Sequence, residues 1–274
     1  MPGMGSPEAI KIIRGKIPPA FAKEYKEMMN YDVSKVDEDV KDCKGPFSDP
    51  WLNAVHHHEP APIPGYEQIK DEDFFRQRVR GKVLDMGAGT CWLSAKLSLL
   101  PAVDEVYALD LSERFLTRIG TRIIETLQGK PEKITFVASD FNEVPLASGS
   151  IDCVLLWASL HHSLSPIKTL QEAGRCLKTQ GSLFIFENPP STIQIKKSRE
   201  RTLAMSEQVT EMTYTRDEWI YFMKAAKIGD IKIHTLDILS RRGWRLAIRK
   251  FLRRFDVEHL ILNPPNYLFH IEKP

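Results

Sequence analysis

Short apolar, β-branched runs alternate with longer helical patterns between residues 82 and 188. This alternation is typical of βαβ units, so it predicts an α/β fold built on a mostly parallel sheet. Ser112 and Thr215 precede predicted helices as N-caps, and Pro101 and Gly129 end helices. The predicted strands are 82–89, 105–110, 133–140, 151–159, 182–188, 230–238 and 266–273, and the predicted helices are 92–100, 112–129, 165–181 and 216–229.

The first 80 residues differ from the rest of the chain in composition and hydrophobic pattern. A helical pattern, FAKEYKEMMNY, precedes a path rich in Pro, Gly and His. We expect residues 1–80 to form a helical and loop cap over the active site of a domain spanning 81–274. Within that domain, segments 191–214 and 239–265 break the alternation and are predicted to be lids or insertions.

Composition limits the class of protein. The chain has 274 residues, of which 42% are hydrophobic and 27% charged, which excludes a disordered chain or a small disulfide scaffold. The four cysteines form no CxxC pair, so we expect no metal site and a reducing, cytoplasmic setting. No stretch reaches the roughly 18 apolar residues that cross a bilayer, and the N-terminus lacks the pattern of a signal peptide.

The net charge of +2 conceals a strongly basic region. Residues 196–254 contain 15 Lys and Arg against 7 Asp and Glu. An anionic partner is therefore expected near this region.

The string VLDMGAGT at 83–90 carries the most chemical information. It predicts a buried strand that ends in an acid, followed by a glycine-rich turn where backbone approaches a ligand closely. A dinucleotide site needs a third glycine three positions after Gly89, and Trp92 stands there, which argues against NAD or FAD. Asp85, Asp110 and Asp140 end three successive predicted strands, so their carboxylates should meet at one sheet edge and suit a ligand with an amine and a ribose diol.

Taken together, these segments resemble a class I S-adenosylmethionine-dependent methyltransferase. The matching stretches, in the family's order and spacing, are 83–90, 107–112, 138–146, 151–162 and 170–187. The resemblance implies a Rossmann-like, seven-stranded sheet whose last strand is antiparallel and inserted between the fifth and sixth. It also implies S-adenosyl-L-methionine as cofactor and S-adenosyl-L-homocysteine as product.

The resemblance assigns expected roles to individual residues. Gly87, Ala88 and Gly89 would pass beneath the methionine and ribose portion of the cofactor, and Asp85 would orient that turn or the cofactor's amino group. The remaining expected contacts are Asp110 with the ribose diol, Leu111 with the adenine face, Asp140 and Phe141 with adenine, and Trp157 along the path to the acceptor.

Histidines are the candidate general bases because their ordinary pKa lies near neutrality. His161 and His162 follow the fourth predicted strand, where the family commonly carries such a run, so a structural role competes with a catalytic one. His57 lies in a run of three histidines in the predicted cap. Two interpretations of it stay open: contact with the acceptor, or a place in a solvated loop.

The expected activity is methyl transfer to a small-molecule acceptor, most plausibly at an oxygen. Two alternatives stay open: a nucleic-acid methyltransferase that uses the basic region, and a non-catalytic scaffold with the cofactor fold. Residues 241–255 predict a basic amphipathic helix, which suits an anionic acceptor, a peripheral membrane surface or only solvent. The sequence does not determine the oligomeric state.

Overall fold

The computed structural model describes residues 10–16, 65–205, 212–236, 244–261 and 266–274. Most of the predicted cap, including His57, and parts of both predicted insertions lie outside these described residues. The cap and insertions therefore remain predictions.

The described strands follow the predicted alternation closely. They are β1 Lys11–Arg14, β2 Gly81–Met86, β3 Val103–Asp110, β4 Ile134–Ala138, β5 Ile151–Trp157, β6 Leu177–Glu187, β7 Asp230–Leu236 and β8 Asn266–Glu272.

The helices fill the intervals between the strands. They are α1 Tyr66–Ile69, α2 Asp73–Arg76, α3 Trp92–Ser98, α4 Glu113–Phe115, α5 Thr121–Thr126, α6 Pro166–Cys176, α7 Ile195–Met205, α8 Arg216–Ala226, α9 Trp244–Arg253 and α10 Glu258–Ile261. Both predicted caps are confirmed: Ser112 accepts from the Phe115 amide, and Thr215 forms a capping box with Glu218.

The strands form an eight-stranded sheet in the order β1-β4-β3-β2-β5-β6-β8-β7. The mostly parallel Rossmann-like sheet is confirmed, and β8 runs antiparallel between β6 and β7 as expected. The count of seven strands was one short because β1 pairs in parallel with β4. Its four residues, KIIR, offer only two apolar positions, which is too short for any periodicity to show.

Two further differences from the predicted elements have local causes. The predicted helix 112–129 contains a π-helical turn, Leu116–Gly120, between α4 and α5. The Thr121 hydroxyl donates to the Thr117 carbonyl within it, a contact that bends helices. Strand β6 begins five residues earlier than predicted, because the polar residues 178–181 bulge between the pairs Ile151–Leu177 and Cys153–Ser182.

The described chain divides into two compact units. The first contains residues 10–16 and 79–145, with the sheet strands β1 to β4. Strand β4 is buried along its whole length, β2 over its last four residues, and β3 at four of its eight positions, which matches their β-branched and apolar runs.

The second unit contains residues 65–78 and the described residues from 146 onward. Its strand β8 is buried along nearly its whole length and carries a buried histidine, His270. The His270 ring stacks on Phe184 with ring centroids 4.5 Å apart, and Nε2 lies 3.3 Å from the Ser182 hydroxyl. Burial, reinforced by the charge of Lys232, lowers the pKa of His270 to about 4.

Because of the lowered pKa of His270, we expect the free energy of unfolding to decrease in acid. Between pH 6.5 and 4 the unfolded chain binds a proton at His270 that the folded chain excludes, so stability falls as the pH drops through that window. From pH 7 to pH 5 the loss is about 2 kcal/mol, at about 1.4 kcal/mol for each pH unit. Urea unfolding at both pH values should show a smaller difference for His270→Phe than for the parent. Equal losses in the two proteins would contradict the assignment.

Candidate active site

In the first unit, the glycine turn (residues 87–89) follows β2 directly and is fixed to the end of β3. The amides of Gly87 and Ala88 both donate to the Leu109 carbonyl, each at 2.8 Å. Gly87 has φ +92° and Gly89 has φ +49°, in the left-handed region that glycine tolerates best. Cys91, which precedes α3, also has a positive φ of 61°, and nothing in the sequence pattern predicts this.

Asp110 joins the glycine turn to the start of the next helix. One carboxylate oxygen accepts from the Gly89 amide at 2.9 Å, and the other accepts from the Ser112 amide at 3.1 Å. Asp110 therefore shapes the turn besides standing where a ribose diol is expected.

Asp85 lies beneath the turn and is only 1% exposed. Its Oδ2 accepts from the Ser94 hydroxyl at 2.6 Å. Burial raises the pKa of Asp85 to about 7; the Ser94 hydrogen bonds oppose the shift, and the charge of Asp110 adds to it. A cationic group on a ligand would favour the ionised carboxylate here, because opposite charges stabilise each other in a poorly solvated site.

Asp140 lies beside Asp110 at the end of β4. The Ser139 amide donates to the Asp110 carbonyl at 3.0 Å, and the Asp140 amide donates to the Lys16 carbonyl at 3.2 Å. Asp140 is 5% exposed, and its carboxylate accepts from Asn142 at 3.3 Å. The three predicted aspartates thus all fall in the first unit, at the ends of adjacent strands.

The arrangement fits the expected cofactor. A Cβ built on Gly89 meets no described atom within 4 Å, so the turn borders open space that a side chain would enter. Asp110, which accepts from the Gly89 amide beside that space, suits a ribose diol, and half-buried Leu111 and Phe141 offer apolar surface for an adenine ring. These residues could hold S-adenosyl-L-methionine.

Of the remaining predicted site residues, Trp157, His161 and His162 lie in the second unit, and His57 lies outside the described residues. The Trp157 ring stacks on Phe186 with centroids 4.7 Å apart and meets Tyr66 edge-on at 6.1 Å. The next residue, Ala158, has φ +50°, and its amide donates to the Phe186 carbonyl at 2.8 Å. Strained backbone of this kind occurs often at functional sites.

His161 has an acidic partner that the sequence interpretation missed. Its Nδ1 lies 2.9 Å from Oε2 of Glu187, a carboxylate at the end of β6 whose side chain is 4% exposed. Oε1 of Glu187 accepts from the Leu160 amide at 3.0 Å, which fixes the turn that carries the histidine. The rule that identified the three aspartates, an acid at the carboxyl end of a buried strand, would also have found Glu187.

The His161–Glu187 pair borders a cavity of about 170 Å³. His161 is one of its lining residues, and the ring of neighbouring His162 lies 4.3 Å from that of His161. Most of the other lining side chains are apolar or aromatic, and the described lining includes no Lys or Arg. The acceptor cavity, as we name it, is lined by Ala158, His161, Glu187, Asn188, Pro189, Pro190, Met212, Thr213, Tyr214 and Trp219.

Among the described residues, no three His, Cys, Asp or Glu side chains cluster closely enough to hold a metal ion. No helix in the described part of the chain combines the length and apolarity needed to cross a membrane.

Comparison with known proteins agrees with the geometry. The family described as "Methyltransferase domain" matches residues 84–185, which include the glycine turn and His161. The chain is 29% identical over 145 residues to an uncharacterized chloroplastic methyltransferase of Arabidopsis thaliana, covering 51% of this chain and 40% of that protein. It is 28% identical over 170 residues to the demethylmenaquinone methyltransferase of Paenarthrobacter aurescens, covering 61% and 63%. The chain thus spans less than two thirds of the length of these relatives.

Solved structures agree on the fold. The crystal structure of the [4+2]-cyclase SpnF superposes with a TM-score of 0.57 at 16% identity, covering 82% of this chain and 92% of that one. At that identity the likeness concerns architecture alone.

The open space beside Gly89 generates a prediction. Gly89→Ala should weaken binding of S-adenosyl-L-homocysteine at least about tenfold, because the new methyl group enters the space assigned to the ligand. Gly149→Ala is the matched control, since Gly149 also has a positive φ, 63°, and a Cβ there also meets no described atom within 4 Å. Both substitutions should cost a similar roughly 1–2 kcal/mol of stability. Calorimetry that found equal affinities for the two variants would show that the site lies elsewhere.

Proposed function

Since residues 84–185 form a class I S-adenosylmethionine-dependent methyltransferase domain, we propose that this chain moves a methyl group from S-adenosyl-L-methionine to a small-molecule acceptor. The product of the donor would be S-adenosyl-L-homocysteine. The observation that carries the acceptor half of the proposal is the His161–Glu187 pair on the wall of the acceptor cavity.

Methyl transfer to a hydroxyl group requires removal of the hydroxyl proton and alignment of the reacting atoms. The cofactor, when bound, supplies a methyl group activated by a positively charged sulfur. An acceptor hydroxyl must lose its proton and align its oxygen with that methyl carbon, so that the O–C bond forms as the C–S bond breaks and the electron pair stays on sulfur.

His161 is the proposed base for that proton. Glu187 accepts from Nδ1, which fixes the tautomer in which Nε2 carries the lone pair. The buried carboxylate also stabilises the imidazolium that forms once Nε2 has taken the proton. Glu187 is thus a positioning residue and His161 the catalytic one.

The cavity lining suggests the acceptor class. Tyr214 and Trp219 meet edge-on with centroids 4.7 Å apart, and prolines and a methionine add apolar surface. Because the described lining contains no cationic side chain, it favours an uncharged, flat, hydroxyl-bearing acceptor over the anionic one suggested by the basic region. An O-methyl product is therefore our first choice.

The Paenarthrobacter relative suggests a second candidate. Its name indicates action on demethylmenaquinone, so a quinone-related acceptor belongs in any substrate panel, and methylation of a ring carbon is the second outcome. NMR of the product distinguishes a methyl group on oxygen from one on carbon. A nucleic-acid acceptor stays third, and cytoplasmic location stays part of the proposal.

The His161–Glu187 pair generates a kinetic prediction. With methyl-labelled S-adenosyl-L-methionine and a panel of phenols and quinols, His161→Gln should lower kcat roughly 10²- to 10⁴-fold. The KM for the cofactor should stay nearly constant, because the predicted cofactor residues are untouched. Glu187→Gln should also lower kcat and shift the pH at which the rate rises, since the imidazole loses its anionic partner.

Matched controls separate this role from general damage. His234→Gln and Glu200→Gln change the same residue types away from the acceptor cavity and should leave kcat within about twofold of the parent. Full activity of His161→Gln would rule out the proposed base. Tight cofactor binding with no turnover of any acceptor class would instead favour a non-methylating role for the fold.

A further inference from the structure

Three large apolar side chains stand exposed along one face near the C-terminal end of the chain. Ile248 is 43% exposed, Phe251 58% and Phe255 63%. Their spacing of three and four residues places them on one side of α9 and the turn that follows it. The rings of Phe251 and Phe255 meet edge-on with centroids 5.3 Å apart, so these residues form a continuous apolar stripe.

Positive charge surrounds the stripe in the sequence. Residues 241–255 contain 7 Arg and Lys and no Asp or Glu. Within the described side chains, Lys250 and Arg254 are exposed. An apolar stripe on a strongly basic helix is the composition that suits the boundary between anionic headgroups and acyl chains.

Ion pairs connect the end of α9 and the turn after it to neighbouring elements. Arg253 pairs with buried Glu258, and Arg216 bonds to Asp256 at 2.6 Å. Arg216 also lies over the Tyr267 ring of β8, 5.7 Å from its centroid. These contacts join the end of α9 to α10, and the turn after α9 to α8.

We propose that the apolar stripe and its basic flanks dock this protein on an anionic lipid surface. Phe251, Phe255 and Ile248 enter the headgroup boundary, and Lys250 and Arg254 contact the anionic headgroups. A nucleic-acid duplex would match the charge but would present phosphates rather than apolar surface to the stripe, and a second copy of this chain would bring like charges together. The inference does not depend on the identity of the methyl acceptor.

Cosedimentation of the full chain with vesicles tests the proposal. The parent should bind phosphatidylglycerol-containing vesicles, bind pure phosphatidylcholine vesicles much more weakly, and lose affinity as salt rises. Phe251→Ser with Phe255→Ser should weaken binding roughly tenfold or more. Lys250→Gln with Arg254→Gln should weaken it about fivefold for each charge removed.

Matched controls use exposed residues of the same kinds outside the stripe. Leu99→Ser with Tyr221→Ser removes two apolar side chains that are 38% and 64% exposed, and Lys168→Gln with Lys224→Gln removes two charges. Both controls should bind vesicles like the parent.

Three results would overturn the proposal. The first is parent binding that does not distinguish the two vesicle types. The second is binding by the double serine variant equal to that of the parent. The third is absence of parent binding to either vesicle type; retention of RNA, or self-association abolished by the same serines, would then assign the stripe to that other partner.

Discussion

One carboxylate, that of Asp110, connects the glycine turn to the helix that follows β3. Its two oxygens hold the Gly89 amide and the Ser112 amide, so one side chain fixes both the turn after β2 and the start of the helix after β3. Backbone amides at such ends have no partner within their own helix or strand, and a charged acceptor satisfies them more strongly than a neutral one. The space beside Gly89 keeps its shape because this acceptor is part of the first unit itself.

In the second unit, a carboxylate at a strand end again accepts from a backbone amide, but its second oxygen has a different kind of partner. Glu187 also ends a buried strand and also accepts a backbone amide, that of Leu160, but its other oxygen faces an imidazole. A buried carboxylate is costly unless it is hydrogen-bonded, and here each oxygen has a partner. One acid therefore organises a backbone turn and holds the His161 ring on the wall of the acceptor cavity.

Much of this could be predicted from residue patterns because the strands of such folds are buried and strongly apolar. The acids at strand ends, the glycine turn and the antiparallel last strand all follow from local pattern or family resemblance. Strand β1 could not be predicted, because four half-exposed residues have no detectable period. The early start of β6 could not be predicted because its bulge residues are polar. The exposure of Phe251 and Phe255 depends on which face of α9 packs against the protein, and helical spacing alone does not determine that face.

The central claim is that the cofactor lies against the glycine turn and Asp110. Hydrogen exchange of the full chain, with and without saturating S-adenosyl-L-homocysteine, tests this most directly. We expect slower exchange in peptides covering residues 85–92 and 109–115, with no change across 244–253. Absence of protection at 85–92, or protection confined to other segments, would contradict it.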